Sequence, residues 1–168
     1  MKQVIFKPQN TYGPLIIRVL LGLVLIAHGS QKLFGWFGGY GFRNTMGYFT
    51  ETLGLPWIVG FLVIVTEFFG ALSLVLGLAA RIWSIAISIL VVGIVITAHS
   101  DYFFMNWMGN QKGEGFEYFL LMLGMSVSLV VTGAGKFSLD ALISKKMLAR
   151  DNAQYIPKNR EVRTGAVL

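Results

Sequence analysis

Five ionisable side chains, His28, Lys32, Glu67, His99 and Glu117, stand inside or at the edges of long apolar runs, and Gln31 lies beside the first two. Within a bilayer each such group costs about 3 kcal/mol by insertion scales, so it is expected to face a protein interior or a polar cavity. Together they carry the parts of a proton-transfer site. A histidine titrates near neutral pH, a carboxylate in hydrogen-bond reach of a reacting group passes a proton, and a lysine stabilises a developing oxyanion. On this reading His28, Glu67 and His99 are the proton-transfer groups, and Gln31, Lys32 and Glu117 contact the substrate. No metal site is expected. The chain has no cysteine, which excludes structural disulfides, thiol exchange, thiolate-held iron–sulfur clusters and cysteine zinc sites.

The elements that must position these groups are membrane helices. Of 168 residues, 55% are hydrophobic, 14% aromatic and only 13% charged, and the mean hydropathy is +0.65, beyond the ordinary range of soluble domains. The formal charge of +6 fits topology signals and anionic lipid better than nucleic acid, which is excluded as a partner. A bilayer core needs about 20 mostly apolar residues per helix. Four stretches qualify, at about 15–34, 57–79, 82–100 and 116–133. Gly13-Pro14, Leu55-Pro56, Ala80-Arg81 and "GNQKGEG" punctuate them, and the second and third form a tight hairpin.

All of the 14 Lys and Arg residues except Lys32, Arg43 and Lys112 fall on one side of these spans. By the positive-inside rule both termini are cytoplasmic. The two long connections then face outward, carrying Trp36, Phe37, Tyr40, Tyr102, Phe103, Phe104 and Trp107 as interface anchors. Within the first, Phe42, Met46, Phe49 and Leu53 recur at helical spacing among Arg43, Asn44 and Glu51, which predicts a short amphipathic helix on the membrane surface, able to roof a cavity. "GWFGGYG" lacks the dinucleotide pattern and reads as a flexible loop. Lys2 and Lys7 ahead of an apolar run resemble a secretory leader, but the long region before the run, Arg18 within it and three further spans argue against cleavage.

The fold expected is therefore an all-α membrane protein, a four-transmembrane-helix bundle with N- and C-termini cytoplasmic and an interfacial amphipathic helix between helices 1 and 2. Residues 1–140 make the transmembrane domain. Residues 141–168 make a basic, largely disordered cytoplasmic tail that touches lipid.

At about 100° per residue, each helix carries its ionisable group on the stripe that holds its small residues. His28, Gln31 and Lys32 share an arc with Gly35. Glu67 shares one with Gly60, Gly70, Ala71 and Gly77, His99 with Ser84 and Ser88, and Glu117 with Gly124 and Ser128. Small residues mark close helix contact, so the stripes are expected to converge in the outer half of the bundle. The inner half has no comparable cluster, because Arg18 can snorkel to the cytoplasmic surface. The same charges could instead clamp helix register, through Lys32 with Glu117 or Glu67 with a histidine. Two histidines on different helices could ligate haem b, but their spacing is not specific and haem is not expected.

The ordered set "AHGSQKLFGWFGG", "TEFFGALSLVLGLAAR", "TAHSDYFF", "GFEYFLLML" and "GAGKFSLD" resembles the DoxX family of small bacterial membrane proteins over about residues 15–140. The resemblance implies a four-helix inner-membrane protein. The family is named for a subunit of a thiosulfate:quinone oxidoreductase, or terminal quinol oxidase, system, and its members are described as oxidoreductases, some tied to redox detoxification. Carried onto this chain, the family's polar positions correspond to His28, Lys32, Glu67, His99 and Glu117.

The leading functional expectation is an oxidoreductase or redox-complex subunit with a quinone or quinol pocket in the outer half of the bundle. Its partners would be membrane lipid, a quinone or small hydrophobic substrate, a soluble or membrane redox subunit, and further copies of the chain. The alternatives are a non-enzymatic scaffold holding redox or stress-response enzymes at the membrane, and a small-molecule carrier.

Overall fold

The computed structural model describes residues 10–98 and 101–154. Among them every regular element is helical. The order is α1 (Gly13–Phe34), a 3₁₀ turn (Trp36–Gly38), α2 (Gly41–Gly47) continued by a π-turn (Tyr48–Thr52), α3 (Trp57–Leu76), α4 (Ala80–Ala98), α5 (Glu117–Thr132) and α6 (Leu139–Gln154). Helices α1, α3 and α4 are long and apolar enough to cross a membrane. Helix α5 is apolar but has 16 residues, about 24 Å of rise, against a hydrocarbon core of about 30 Å. The molecule therefore has three to four apolar helices of membrane type.

Local chemistry sets the boundaries. Pro14 starts α1, where its missing N–H costs no hydrogen bond, and left-handed Gly35 ends it by donating to Gln31 O. Pro56 precedes α3, and Gly77 at φ +67° closes it. Four helices share one core: Leu21 and Leu25 of α1, Ala71 and Leu74 of α3, Ile87 and Val91 of α4, and Met122 and Leu129 of α5. Their other faces expose Leu20, Leu23, Leu62, Ile89, Ile96, Leu121 and Val131. Apolar exposure on that scale fits a lipid-facing surface and not a soluble monomer. The amphipathic segment α2 buries Met46 and Phe49 against Ile64 and Gly60 of α3, with Leu53 packed beside them and Arg43 and Glu51 exposed.

Two expectations about the inner end are corrected. Arg18 does not snorkel: it is 1% exposed. Its Nε donates to Ala134 O at 2.8 Å, Nη1 to Leu74 O at 2.9 Å and to Val75 O, and Nη2 to Phe137 O at 2.6 Å and Lys136 O at 3.3 Å. Snorkelling lost because carbonyls at the end of α3 and in the connection between α5 and α6 converge on the guanidinium, whose fork of donors suits them.

The tail is not disordered from residue 141, since α6 continues to Gln154. Asp140 anchors its start. The carboxylate accepts the N–H groups of Ala79 at 2.7 Å and Ala80 at 3.0 Å, so donors left over at the start of α4 are capped from 60 residues away. Burial raises the Asp140 pKa above the ordinary carboxylate value, against the lowering pull of those N–H groups and of Arg18 and Arg81. The inner half thus has its own buried polar cluster, where the sequence reading expects none.

Candidate functional site

Near the Phe34 end of α1 an ion pair joins Lys32 of α1 to Glu67 of α3. The Glu67 side chain is 4% exposed and that of Lys32 25%, so the carboxylate is enclosed and the lysine side chain is partly open. The backbone places Glu67 in an unusual way. Within α3 the α-helical segments Trp57–Val65 and Ala71–Leu76 are separated by a π-turn, Thr66–Gly70. The wider turn takes up one extra residue, and Thr66, Glu67 and Gly70 are all buried. Such π-bulges recur at functional positions in helices.

Helix α1 meets that turn at Gly29. A Cβ built on Gly29 would stand 2.7 Å from the carbonyl carbon and oxygen of Glu67 and from Phe68 N, so only glycine permits this approach. Aromatic rings complete the surroundings. Phe68 packs edge-on against Phe34 at 5.2 Å between centroids, and Phe34 lies 4.9 Å from Trp36. The pair supplies a cation and a carboxylate, and the rings belong to positions one to four residues along the chain from it.

The six sequence-derived residues fare differently. Lys32 and Glu67 are brought together, replacing the expected pairings of Lys32 with Glu117 and of Glu67 with a histidine. Helix α1 packs directly on the π-turn through Gly29, which fixes the choice of carboxylate. Glu117 instead holds the outer connection, accepting Met105 N–H at 3.0 Å and Trp107 Nε1–H at 3.2 Å. His28 is exposed and not interior. The buried face of α1 runs through Arg18, Gly22, Leu25 and Gly29. At about 100° per residue His28 lies about a quarter turn from the centre of that face and Gln31 nearly a half turn. Gln31 reaches Phe37 O at 3.4 Å, a long contact with the loop over the end of α1. His99 lies outside the described residues.

Sequence reasoning misses the polar seam between α4 and α5, where the Ser88 and Ser126 hydroxyls meet at 2.8 Å. It has Ser88 on the interior stripe of its helix but puts Ser128, not Ser126, on that of the last span. Among the described residues no group of three or more His, Asp or Glu is placed to hold a metal ion.

The sequence pattern of the DoxX family matches residues 13–100, which contain α1 to α3, the Lys32–Glu67 pair and α4. The chain is 30% identical over 133 residues to "Putative oxidoreductase CatD" of Bacillus subtilis (strain 168), covering 79% of this chain and 88% of that protein. It is 27% identical over 145 residues to "Inner membrane protein YqjF" of Escherichia coli (strain K12), covering 83% of this chain and 98% of that protein. No solved structure matches it significantly.

Proposed function

The chain belongs to the DoxX family, and on that premise we propose that it is a redox subunit of the inner membrane in which Lys32 and Glu67 bind and protonate a quinone. Its relatives are named as an oxidoreductase and as an inner membrane protein, and its own helices suit a multi-pass arrangement. In this reading α1, α3, α4 and α5 cross the bilayer with both termini cytoplasmic, as the distribution of Lys and Arg favours.

The observation that carries the proposal is the Lys32–Glu67 pair on a π-turn. A purely structural buried pair often contributes little net stability, because desolvation offsets the attraction. A pair whose lysine is partly open is better suited to receiving a ligand oxygen. Reduction of a quinone consumes two electrons and two protons and yields a quinol. Lys32 would hold one quinone oxygen and stabilise the negative charge that builds there. Glu67, ionised in the pair, would take up a proton from water and pass it to that oxygen, and the second proton would reach the other quinone oxygen from the medium. His28 and Gln31, at the edge of the site, would serve the approach. The electrons come from a reduced partner enzyme or subunit.

The experiment is quinone binding to the reconstituted protein, compared with Lys32→Met and Glu67→Gln. Weakened binding in both variants, with the fold retained, supports the reading. Unchanged binding in both, with a stably captured enzyme partner, supports the scaffold instead.

A further inference from the structure

Helix α6 separates its residues by charge. At about 100° per residue, Leu139, Leu142, Ile143, Lys145, Lys146 and Arg150 fall within an arc of about 160°, while Asp140 and Ser144 fall on the opposite side. Asp140 is buried and turned onto the Ala79–Ala80 turn, so the cationic and aliphatic face points away from the bundle. On that face Leu142 is 62% exposed and the three cationic side chains are exposed. No acidic side chain accompanies them.

The segment leading into α6 is held in a shape that serves the same face. Phe137 has φ +49°, a left-handed conformation that costs a non-glycine residue stability. Arg18 fixes it there by donating to its carbonyl, and Lys136 N–H donates to Thr11 O at 3.1 Å. The result is a Phe137 ring 78% exposed, next to Tyr12, over which Lys136 Nζ sits at 4.1 Å. Aromatic rings and lysines in this combination occur where protein meets the headgroup layer.

We infer that α6 lies along a bilayer surface and binds anionic phospholipid headgroups through Lys145, Lys146 and Arg150, with Leu139 and Leu142 inserted beneath them. Charge selects the occupant. A face with three cations and no acid is complementary to phosphate, and aliphatic side chains interleaved with the cations match the depth of the headgroup and acyl boundary. The inference stands apart from the quinone reading, since the two use opposite ends of the bundle.

Because the chain has no cysteine, single nitroxide labels can be placed cleanly. The full chain carrying Leu142→Cys or Ser144→Cys is reconstituted into vesicles of phosphatidylcholine alone or mixed with phosphatidylglycerol. Anionic lipid in both leaflets makes orientation immaterial. With phosphatidylglycerol the label at 142 should be relaxed by oxygen in preference to a water-soluble nickel chelate, and the label at 144 the reverse. In phosphatidylcholine alone, or at raised salt, the label at 142 should return to water. Each of K145Q, K146Q and R150Q should lower the docked-to-free ratio about fivefold, with helicity by circular dichroism unchanged. A label at 142 that stays in water in both lipids, or is equally buried in both, overturns the inference.

Discussion

Gly29 rests directly on the peptide unit of Glu67, with room for no more than a hydrogen between them. That contact turns the α1–α3 packing into a positioning device. It sets the distance between helices, presses α1 against the π-turn, and brings Lys32, three residues further along α1, over the Glu67 carboxylate.

Gly29→Ala should therefore act on the pair as well as on packing. The methyl group has to displace backbone, so a loss of about 1–3 kcal/mol is expected, measured by unfolding in mixed micelles. A cross-link between cysteines introduced at Ser30 and Phe68 should report a wider separation.

Removing one member of the pair leaves a buried charge unpaired, which typically costs about 3–5 kcal/mol. Lys32→Met should approach that figure, because Glu67 is the more buried partner. Glu67→Gln should cost less, because Lys32 reaches solvent or headgroups along its stem. The double variant should be more stable than the sum of the single losses, as a double-mutant cycle would show.

Arg18→Lys should behave as a loss despite the retained charge. An ammonium cannot span carbonyls at Leu74, Ala134 and Phe137 in one plane as the guanidinium does. Lower thermal stability and lower membrane yield are expected, with the Lys32–Glu67 end unaffected if quinone binding is measured on the folded fraction.

Much of this architecture is legible in the sequence, and the reasons for the remainder are specific. Gly13-Pro14 and Leu55-Pro56 locate the helix starts, because these residues act locally, whereas Gly77, which closes α3, stands inside the expected second span. The interior positions of Lys32 and Glu67 follow from helical periodicity. The π-turn does not, because no residue type demands it; it shifts the face of everything beyond Thr66. Arg18 reads as a snorkelling residue because its acceptors are backbone carbonyls of distant segments, which carry no sequence signal. His28 is misplaced for a simpler reason. The inward face of α1 is set by Gly22 and Gly29 meeting α3, and the polar stripe lies to one side of it.

Asp140→Asn tests the inner clasp. An amide keeps one acceptor where the carboxylate satisfies two N–H groups, at Ala79 and Ala80. The expected cost is about 1–2 kcal/mol, the range of a lost helix cap. Hydrogen exchange should quicken first at the start of α4, and exchange around Glu67 should change little.

The most direct test is quinone binding by the reconstituted full chain, followed through quenching of its tryptophan fluorescence by a short-chain quinone. Wild-type protein should bind saturably. Glu67→Gln and Lys32→Met should each weaken binding about tenfold or more, equivalent to about 1.4 kcal/mol, while the exposed Arg43→Gln should match wild type. Equal affinity in all four proteins, with the fold intact, would contradict a quinone site at the Lys32–Glu67 pair.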